Sequence, residues 1–228
     1  HVIVVGCDML CEFITTGFAS FKSISSSNCR PYDAERNGLN LGEACACVLL
    51  TSDRSKAKQP YMRLEGGSVT NDANHISGPS RTGDGLYYAI SNAMKEAGVT
   101  PSDIGFVNTH GTATAYNDEM ESKAVTWAEL ADTPLNSVKG YIGHTLGASG
   151  VVETLICLNE LRKKTVYGTY GFSEMGVPCP VNISSEHRPL EIQRCVKTAS
   201  GFGGCNAAIV IAADECGDPD GICPDARE

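Results

Sequence analysis

Two histidines stand at positions that suit chemistry better than core packing. His110 lies between the end of a predicted strand and Gly111, in the segment NTHGTAT, and His144 ends the segment KGYIGH. A histidine placed between a strand end and a glycine is presented to a cavity, where imidazole can transfer protons or donate hydrogen bonds. Lys139 stands five residues before His144, and Glu153 stands nine residues after it. These four side chains are the first candidates for a catalytic site.

A glycine-rich segment adds a further candidate. Residues 200–206 read SGFGGCN, so Phe202 is flanked by Gly201 and Gly203. Each feature alone has an ordinary structural explanation, because a histidine after a strand is commonly a hydrogen-bonded structural residue and GFGG alone is a tight turn. The features are informative as a set, because open α/β sheets place their sites at the ends of strands.

The elements that must position these residues alternate between strand and helix. Apolar or alternating runs predict strands over 2–5, 44–51, 59–71, 105–109, 135–138, 195–199 and 207–213. Helical spacing predicts helices over 83–97 and 147–162, a partly helical stretch over 8–21, and a helix that Asn117 or Asp118 caps and that runs to about residue 130. We expect residues 2–5 to be a buried strand, and the second strong helix to bury the stripe Val151, Leu155, Leu158 and Leu161. The alternation predicts an α/β fold with a partly parallel sheet.

Composition excludes several classes of protein. The 228 residues are 42% hydrophobic and 20% charged, which is typical of a globular chain with one large domain or two small ones. The net charge of −9 argues against binding to nucleic acid. The longest apolar runs, 44–50 and 207–213, are too short to cross a membrane. Eleven cysteines without a CxxC pair favour reduced thiols in a cytoplasmic protein, with Cys45, Cys47 and Cys157 packed as small hydrophobes.

The motifs together resemble those of one family. HGTAT, the lysine and glutamate on either side of His144, GFGGCN, and the segment RPYDAERNGLNLGEACACVL at 30–49 are similar to motifs of the β-ketoacyl-acyl-carrier-protein synthases. These are thiolase-fold condensing enzymes of fatty-acid and polyketide synthesis, and the similarity is closest to their type II branch. Asp118 and Glu121 match acidic positions of the family, which we interpret as structural.

The resemblance implies a thiolase-like layered α/β fold (α/β/α/β/α). Residues 1–58 would be the end of its N-terminal half and residues 59–213 its C-terminal half, and we expect 214–228 to be a disordered acidic tail. The two halves of this fold pack on each other. We therefore expect the chain on its own to expose apolar surface on the strands at 2–5 and 44–50.

The resemblance also implies an acyltransferase of lipid metabolism, a 3-oxoacyl-acyl-carrier-protein synthase. In the family a cysteine takes an acyl group from a carrier protein, malonyl-carrier loses CO2, and the resulting enolate attacks the acyl-cysteine. His110 and His144 resemble the two active-site histidines, which must be neutral hydrogen-bond donors to the thioester oxygen. We expect the positive end of the following helix to keep His144 neutral. Lys139 resembles the lysine that orients the histidine region through Glu153.

Substrate contacts follow from the same resemblance. Thr112 and Thr114 resemble the pair that hydrogen-bonds the phosphopantetheine arm of the carrier. Phe202 resembles the gating phenylalanine, and Gly201 and Gly203 let that backbone turn and move. The family implies no metal or organic cofactor. The implied partners are an acyl-carrier protein and either a second copy in a homodimer or an N-terminal synthase half, with no nucleic acid or membrane partner.

One part of the family's site has no match in the sequence. The nucleophilic cysteine lies in a DTACSS-like motif that would precede residues 2–5, and none of the eleven cysteines has that context. Cys7 and Cys205 have no evident base or dipole to lower the pKa of their thiols. One hypothesis is the C-terminal portion of an active condensing enzyme, inactive as this chain alone. The alternative is a non-catalytic chain-length or structural partner subunit, although both histidines are retained. A thiolase is a third, weaker interpretation, since its motifs differ.

Overall fold

A five-stranded mixed sheet is the element on which the candidate residues converge. The computed structural model describes residues 1–56 and 61–213. The strands are β1 (Val2–Asp8), β2 (Ala44–Leu50), β3 (Met62–Asn71), β4 (Phe106–Asn108), β5 (Leu135–Asn136), β6 (Thr165–Val166), β7 (Arg188–Pro189), β8 (Arg194–Gly201) and β9 (Cys205–Ala213). The α-helices are α1 (Glu12–Ser20), α2 (Asp84–Ala97), α3 (Ala115–Trp127), α4 (Lys139–Ile142) and α5 (Ser149–Lys163). Short 3₁₀ helices span Arg54–Lys56, Pro101–Asp103 and Leu146–Ala148.

The strand order explains why distant motifs meet. The sheet runs β3-β9-β8-β4-β5, with β4 parallel to both β8 and β5, and with β9 antiparallel to β3 and β8. The carboxyl ends of parallel strands lie at one edge of a sheet. The segments HGTAT, KGYIGH and GFGGCN follow β4, β5 and β8, so they are brought to the same edge. The predicted partly parallel sheet is confirmed.

Helices cover both faces of this sheet. Val107 and Val196 point to the face that α2 and α3 cover, where a buried apolar cluster forms. Phe106 and Cys195, their neighbours along the strands, belong to a second cluster with Leu161 of α5. Helix α5 also contacts β1 and β2, which pair antiparallel in a separate sheet. The order of layers is thus α2 and α3, the five-stranded sheet, α5, and the β1–β2 sheet, an α/β arrangement of the layered kind expected.

Helix α2 forms as its sequence pattern predicts. Leu86, Ile90 and Met94 recur at helical spacing and are buried against the sheet. Gly98 ends the helix with φ of 68°, and its N–H donates to the carbonyl of Lys95. A left-handed residue at this position satisfies the last carbonyls of a helix, and glycine adopts it without strain.

The first strand differs from the prediction. Residues 2–5 do form a strand, but Val2, Ile3 and Val5 are 59%, 69% and 62% exposed, so the strand is not buried. Its only paired neighbour within the described ranges is β2, and the apolar surface is exposed as expected for the chain on its own. Cys45 and Cys47 on β2 are also exposed rather than packed, whereas Cys157 on α5 is buried as predicted.

Two helix predictions need correction. Asn117 and Asp118 do not cap α3, because the helix begins at Ala115 and both residues turn inward within its first turns. In α5 only part of the predicted apolar stripe is buried, because Leu161 and Leu158 pack against the sheet but Leu155 does not. Leu155 is 38% exposed, whereas Glu153 is fully buried, because this face of the helix meets polar groups at the edge of the sheet. The predicted tail at 214–228 lies outside the described residues.

Candidate active site

A buried glutamate fixes the loop that carries His110. Glu121 on α3 accepts the backbone N–H of His110 at 2.8 Å and that of Gly111 at 2.6 Å. Gly111 has φ of 43°, and a Cβ there would lie 2.4 Å from Cβ of Ser137, so glycine is required. Burial raises the pKa of Glu121, and the two backbone hydrogen bonds oppose that rise. His110 therefore stands on a rigid backbone.

Asp118 holds the next part of the same loop. Its Oδ1 accepts the N–H of Thr112 at 3.0 Å, and its Oδ2 accepts the N–H of Tyr32 at 2.8 Å. Burial, and then the charge of Glu121, raise the pKa of Asp118 to about 7. Neither carboxyl lines the cavity described below. Both carboxyl groups accept hydrogen bonds from backbone N–H groups, which agrees with the structural role expected for Asp118 and Glu121.

Lys139 and Glu153 lie behind His110, out of contact with the cavity. Lys139 is the first residue of α4 and is fully buried. Its Nζ contacts Oε1 of Glu153, donates to the carbonyl of His110 at 2.6 Å, and lies 3.3 Å from Nδ1 of His110. The family resemblance implied that Lys139 orients the histidines through Glu153. In the structure Lys139 itself touches His110, and Glu153 holds Lys139.

A second buried lysine, which the sequence analysis missed, completes this group. Lys197 on β8 places Nζ 2.6 Å from Oε2 of Glu153 and also contacts the carbonyl of Thr198. Burial alone would raise the pKa of Glu153, but Lys139 and then Lys197 outweigh it and lower that pKa. The signal in the sequence was a lysine inside the apolar run CVKTA, where an unpaired charge could not be buried.

Protein donors fix the orientation of His144. Its Nδ1 lies 3.2 Å from the backbone N–H of Leu146 and 2.9 Å from Oγ of Ser149. Because the backbone N–H can only donate, Nδ1 is the acceptor and Nε2 carries the proton. Ser149, the first residue of α5, lies in the segment that the sequence analysis singled out, but its contact with His144 was not predicted.

The two imidazole rings form a neutral pair. Nδ1 of His110 faces the Lys139 ammonium, which is a donor, so His110 also carries its proton on Nε2. Burial first, and then the charge of Lys139, lower the pKa of His144 to about 3 and that of His110 well below its usual value. The prediction attributed neutrality to a helix dipole. The lowered pKa values agree with that expectation, but burial and Lys139 are their main causes.

Both rings line a cavity of about 860 Å³. Thr112 and Thr114 also line it, and their hydroxyl oxygens are 2.9 Å apart. Gly201 at the end of β8 and Phe202 in the turn that follows also line it, whereas Gly203 does not reach the cavity. Of the predicted site residues, the structure thus brings six to the cavity and two, Lys139 and Glu153, directly behind it.

An aromatic cluster closes one side of the cavity. Phe202 stacks on Phe18, with ring centroids 5.6 Å apart and planes at 20°, and meets Phe21 edge to face at 5.6 Å. Phe18 belongs to α1, and Phe21 follows it. Gly203 adopts φ of 84°, which permits the turn that presents Phe202. Phe18 and Phe21 were not predicted as site residues, because nothing in the local sequence pattern links them to Phe202.

The described cysteines lack the hydrogen bond to a histidine that would activate a thiol as a nucleophile. None of the nine cysteines in the described ranges hydrogen-bonds to either histidine. Cys29 is buried against the carbonyl of Thr112, and burial raises the pKa of its thiol to about 12. Cys205 lies in the cavity wall beside the GFGG turn. The described geometry assigns no thiol to the histidine pair.

Comparison with known proteins agrees with this arrangement. A family model described as the beta-ketoacyl synthase N-terminal domain matches residues 1–56, and one described as the beta-ketoacyl synthase C-terminal domain matches residues 61–173. The chain belongs to the β-ketoacyl synthase family. Among curated members of this family, the chain is 32% identical over 216 residues to 3-oxoacyl-[acyl-carrier-protein] synthase 2 of Rhizobium meliloti, covering 89% of the chain and 51% of that protein. It is 31% identical to putative polyketide beta-ketoacyl synthase 1 of Streptomyces cyaneus, covering 85% and 49%.

Solved ketosynthases have the same thiolase fold. The chain aligns with the ketosynthase ApeO in complex with its chain length factor ApeC from Xenorhabdus doucetiae, with a TM-score of 0.85 and 34% identity over 93% of this chain and 53% of that one. It also aligns with AntDE:AntF, a type II PKS acyl-carrier protein in complex with its ketosynthase, with a TM-score of 0.87 and 27% identity over 93% and 56%.

The chain spans about half the length of the curated relatives it matches. Within residues 1–56 and 61–213, none of the helices is long and apolar enough to cross a membrane. Over the same two stretches, no group of three or more histidine, cysteine or acidic side chains has the geometry of a metal site.

Proposed function

We propose that these residues form the histidine-bearing part of a condensing enzyme, an acyltransferase that joins an acyl thioester to malonyl-acyl-carrier protein. The observation that carries the proposal is the pair of neutral imidazoles at one cavity. Nδ1 of each ring is occupied by protein donors, so Nε2–H is the group that each ring offers to a ligand. Two such donors suit an oxygen atom on which negative charge develops.

The chemistry follows from that oxygen. The malonyl thioester loses CO2, and the electron pair of the broken C–C bond is delocalised into an enolate. The enolate oxygen accepts hydrogen bonds from Nε2–H of His110 and of His144. The enolate carbon attacks the carbonyl of the acyl-cysteine, forming a C–C bond. The C–S bond then breaks, and the cysteine leaves as thiolate. Donors aimed at such an oxygen contribute about 10²–10³ each to the rate.

The thiol in this scheme comes from a polypeptide segment other than these 228 residues. The absence of a hydrogen bond between the described thiols and the histidines supports this, as does the raised pKa of Cys29. A preceding segment of the same polypeptide would supply the thiol in the arrangement we favour. The 228 residues alone would then catalyse no condensation. Residues 1–58 and 59–213 would be the end of the N-terminal half and the C-terminal half of the complete fold.

The substrate would arrive on the phosphopantetheine arm of an acyl-carrier protein. Thr112 and Thr114, with hydroxyl oxygens 2.9 Å apart at the cavity wall, are placed to hydrogen-bond such an arm. Phe202 would gate the acyl group. The solved complex AntDE:AntF, in which a ketosynthase binds its acyl-carrier protein, supports a carrier protein as partner. We further propose a cytoplasmic homodimer that acts in fatty-acid or polyketide synthesis.

The test uses the complete polypeptide with acyl- and malonyl-carrier proteins. We expect CO2 release and a 3-oxoacyl-carrier product, both detected by mass spectrometry, and we expect the acyl group on a cysteine of the polypeptide. The 228-residue chain assayed alone is the matched control and should form no product. Product formed by that chain alone would place the nucleophile within it and overturn the assignment of the thiol.

A chain-length or structural partner subunit is the second candidate function. It is favoured by the solved ketosynthase that forms a complex with its chain length factor. It predicts that the complete polypeptide carries no acyl-cysteine and gains activity only with a separate synthase. Retention of both donor imidazoles favours the enzyme, because a subunit without chemistry has no need of them.

A further inference from the structure

Four buried charged groups lie around His110, and one of them, Lys197, was not singled out from the sequence. Lys139 and Glu121 contact His110, Glu153 contacts Lys139, and Lys197 faces Glu153 from β8. Lys197 is only 3% exposed. Two positive charges therefore face two negative charges, and the group of four is neutral as a whole. We refer to Lys139, Lys197, Glu121 and Glu153 as the charge cluster.

Strand β8 supplies a partner to each of the two carboxylates in the charge cluster. The parallel register with β4 sets Lys197 opposite Asn108. Nζ of Lys197 lies 2.6 Å from Oε2 of Glu153, on the side away from Lys139. The next residue, Thr198, donates its hydroxyl to Oε1 of Glu121 at 3.2 Å. Lys197 thus completes the cluster from a strand that carries no other charge into it.

We propose that Lys197 is a positioning residue of the histidine site, the second counter-ion that balances Glu153 and Glu121 and so prevents the imidazoles of His110 and His144 from gaining a proton. The inference rests on the proposed function. Without Lys197, one buried carboxylate would lack a counter-ion and would favour a proton on a nearby group. A proton on Nδ1 would break the contacts with Lys139 and Leu146 that orient the rings.

The charged groups that face the two rings come from several elements. They are Lys139 from α4, Glu153 from α5, Lys197 from β8, Glu121 and Asp118 from α3, and Arg36, whose Nε lies 3.9 Å from Asp118. Burial and Lys139 lower the pKa of both histidines, Glu153 acts in the opposite direction on His144, and Lys197 lowers both further. Removing Lys197 while Glu153 and Glu121 remain should therefore raise both pKa values.

The decisive experiment is Lys197→Met in the complete polypeptide, with the histidine rings followed by NMR across pH. We expect the pKa of His144 to rise by about one pH unit or more. The acidic limb of malonyl-carrier decarboxylation should move to higher pH by the same amount, with little change of rate above pH 6. Lys197→Arg retains the charge and should leave the ring titration near that of the wild type. Lys95→Met, which removes an exposed lysine on α2, is the matched control.

A second variant covers the case in which Lys197→Met does not fold. Glu153→Gln combined with Lys197→Met leaves Lys139 opposite Glu121, so the cluster is again neutral. We expect the double variant to fold and to melt at a higher temperature than Lys197→Met. An unchanged ring titration in Lys197→Met, or a double variant no more stable than the single one, would overturn the proposal. The titration of the histidine rings needs no substrate. If the ring titration shifts but no CO2 is released, the role of Lys197 is supported and the proposed function is contradicted.

Discussion

The imidazole rings of His110 and His144 meet edge to face, with their centroids 4.9 Å apart and their planes at 81°. Each ring is held through Nδ1, one by Lys139 and the other by the N–H of Leu146. Neither ring needs to rotate or to change its proton before a ligand oxygen arrives. Preorganised donors of this kind cost no reorganisation during the reaction.

Replacing His144 by alanine removes one of the two donors. We expect malonyl-carrier decarboxylation by the complete polypeptide to fall by about 10²–10³ in kcat, which is typical for the loss of one such donor. His187→Ala removes a histidine whose ring accepts from the N–H of Gly168 away from the cavity, and it should retain the rate. A loss of less than about threefold for His144→Ala would contradict the role of this ring.

The hydroxyl of Ser149 tests the orientation of His144 separately. Ser149→Ala leaves the N–H of Leu146 as the remaining partner of Nδ1 that the structure describes. Loss of one hydrogen bond of about 1 kcal/mol should lower kcat by about fivefold and change thermal stability little. Ser52→Ala, at an exposed position, is the control. Steady-state kinetics with malonyl-carrier measure the effect, and an unchanged kcat would show that the backbone donor suffices.

Acid should destabilise the fold through its neutral histidines. The pKa of His144 is lowered to about 3 in the folded state, against about 6.5 in an unfolded chain. The unfolded chain therefore binds the extra proton first as the pH falls below about 6.5, so the stability that neutral His144 contributes is present above that pH and is lost towards pH 3.

The variant His144→Asn isolates this contribution. The difference in free energy of unfolding between wild type and variant should grow as the pH rises from 3 to 6.5, by at most about 1.4 kcal/mol per pH unit, and should be constant above that. Urea unfolding at several pH values measures it. A difference that does not vary with pH would show that His144 is not held neutral.

Glu160 gives a pH dependence of the opposite sign. Its Oε1 accepts from Asn136 at 2.6 Å and from the N–H of Tyr167 at 2.7 Å, while Oε2 lacks a hydrogen-bond partner among the described residues. Burial raises the pKa of Glu160 to about 7. The favourable contribution of the protonated carboxyl is thus present below the unfolded pKa of about 4.3 and is lost as the pH rises through 7.

Glu160→Gln keeps an acceptor for both donors and removes the charge. We expect the variant to be more stable than the wild type above pH 7, with the difference closing as the pH falls below 5. Thermal unfolding at pH 5 and pH 8 provides the comparison. Equal stability of the two proteins at pH 8 would indicate that the buried carboxyl ionises without cost.

The sequence predicted the positions of the two histidines because their signal is local. A polar residue between a strand end and a glycine marks the edge of a sheet, and the parallel strands β4 and β5 then bring both histidines together. The position of Lys197 inside the apolar run CVKTA indicates a buried lysine but not its partner, and the buried face of α5 gave no local signal. Patterns of apolar residues assume that charged side chains face water. Glu153 is an exception, because it is buried with counter-ions from α4 and β8. These elements are distant in sequence, so a local pattern does not indicate them.

The exposure of β1 has a different cause. An apolar, β-branched run indicates a strand, and it predicts burial only if another layer covers it. Val2 and Ile3 lie on a two-stranded sheet whose inner side meets α5 through Gly6, next to Ala148 and Val151. The sequence of β1 does not indicate which layer would cover the outer side of this sheet.

Strand β8 lies late in the described chain, so it leaves the ribosome after both histidines. His110 and His144 are synthesised first, but β8 pairs with β4 and supplies Lys197 and Thr198 to the groups around them. A nascent chain that stops short of β8 therefore holds both histidines without the surroundings that keep them neutral. Truncated products of translation should therefore lack the proposed condensing activity, which should appear only after β8 has been synthesised.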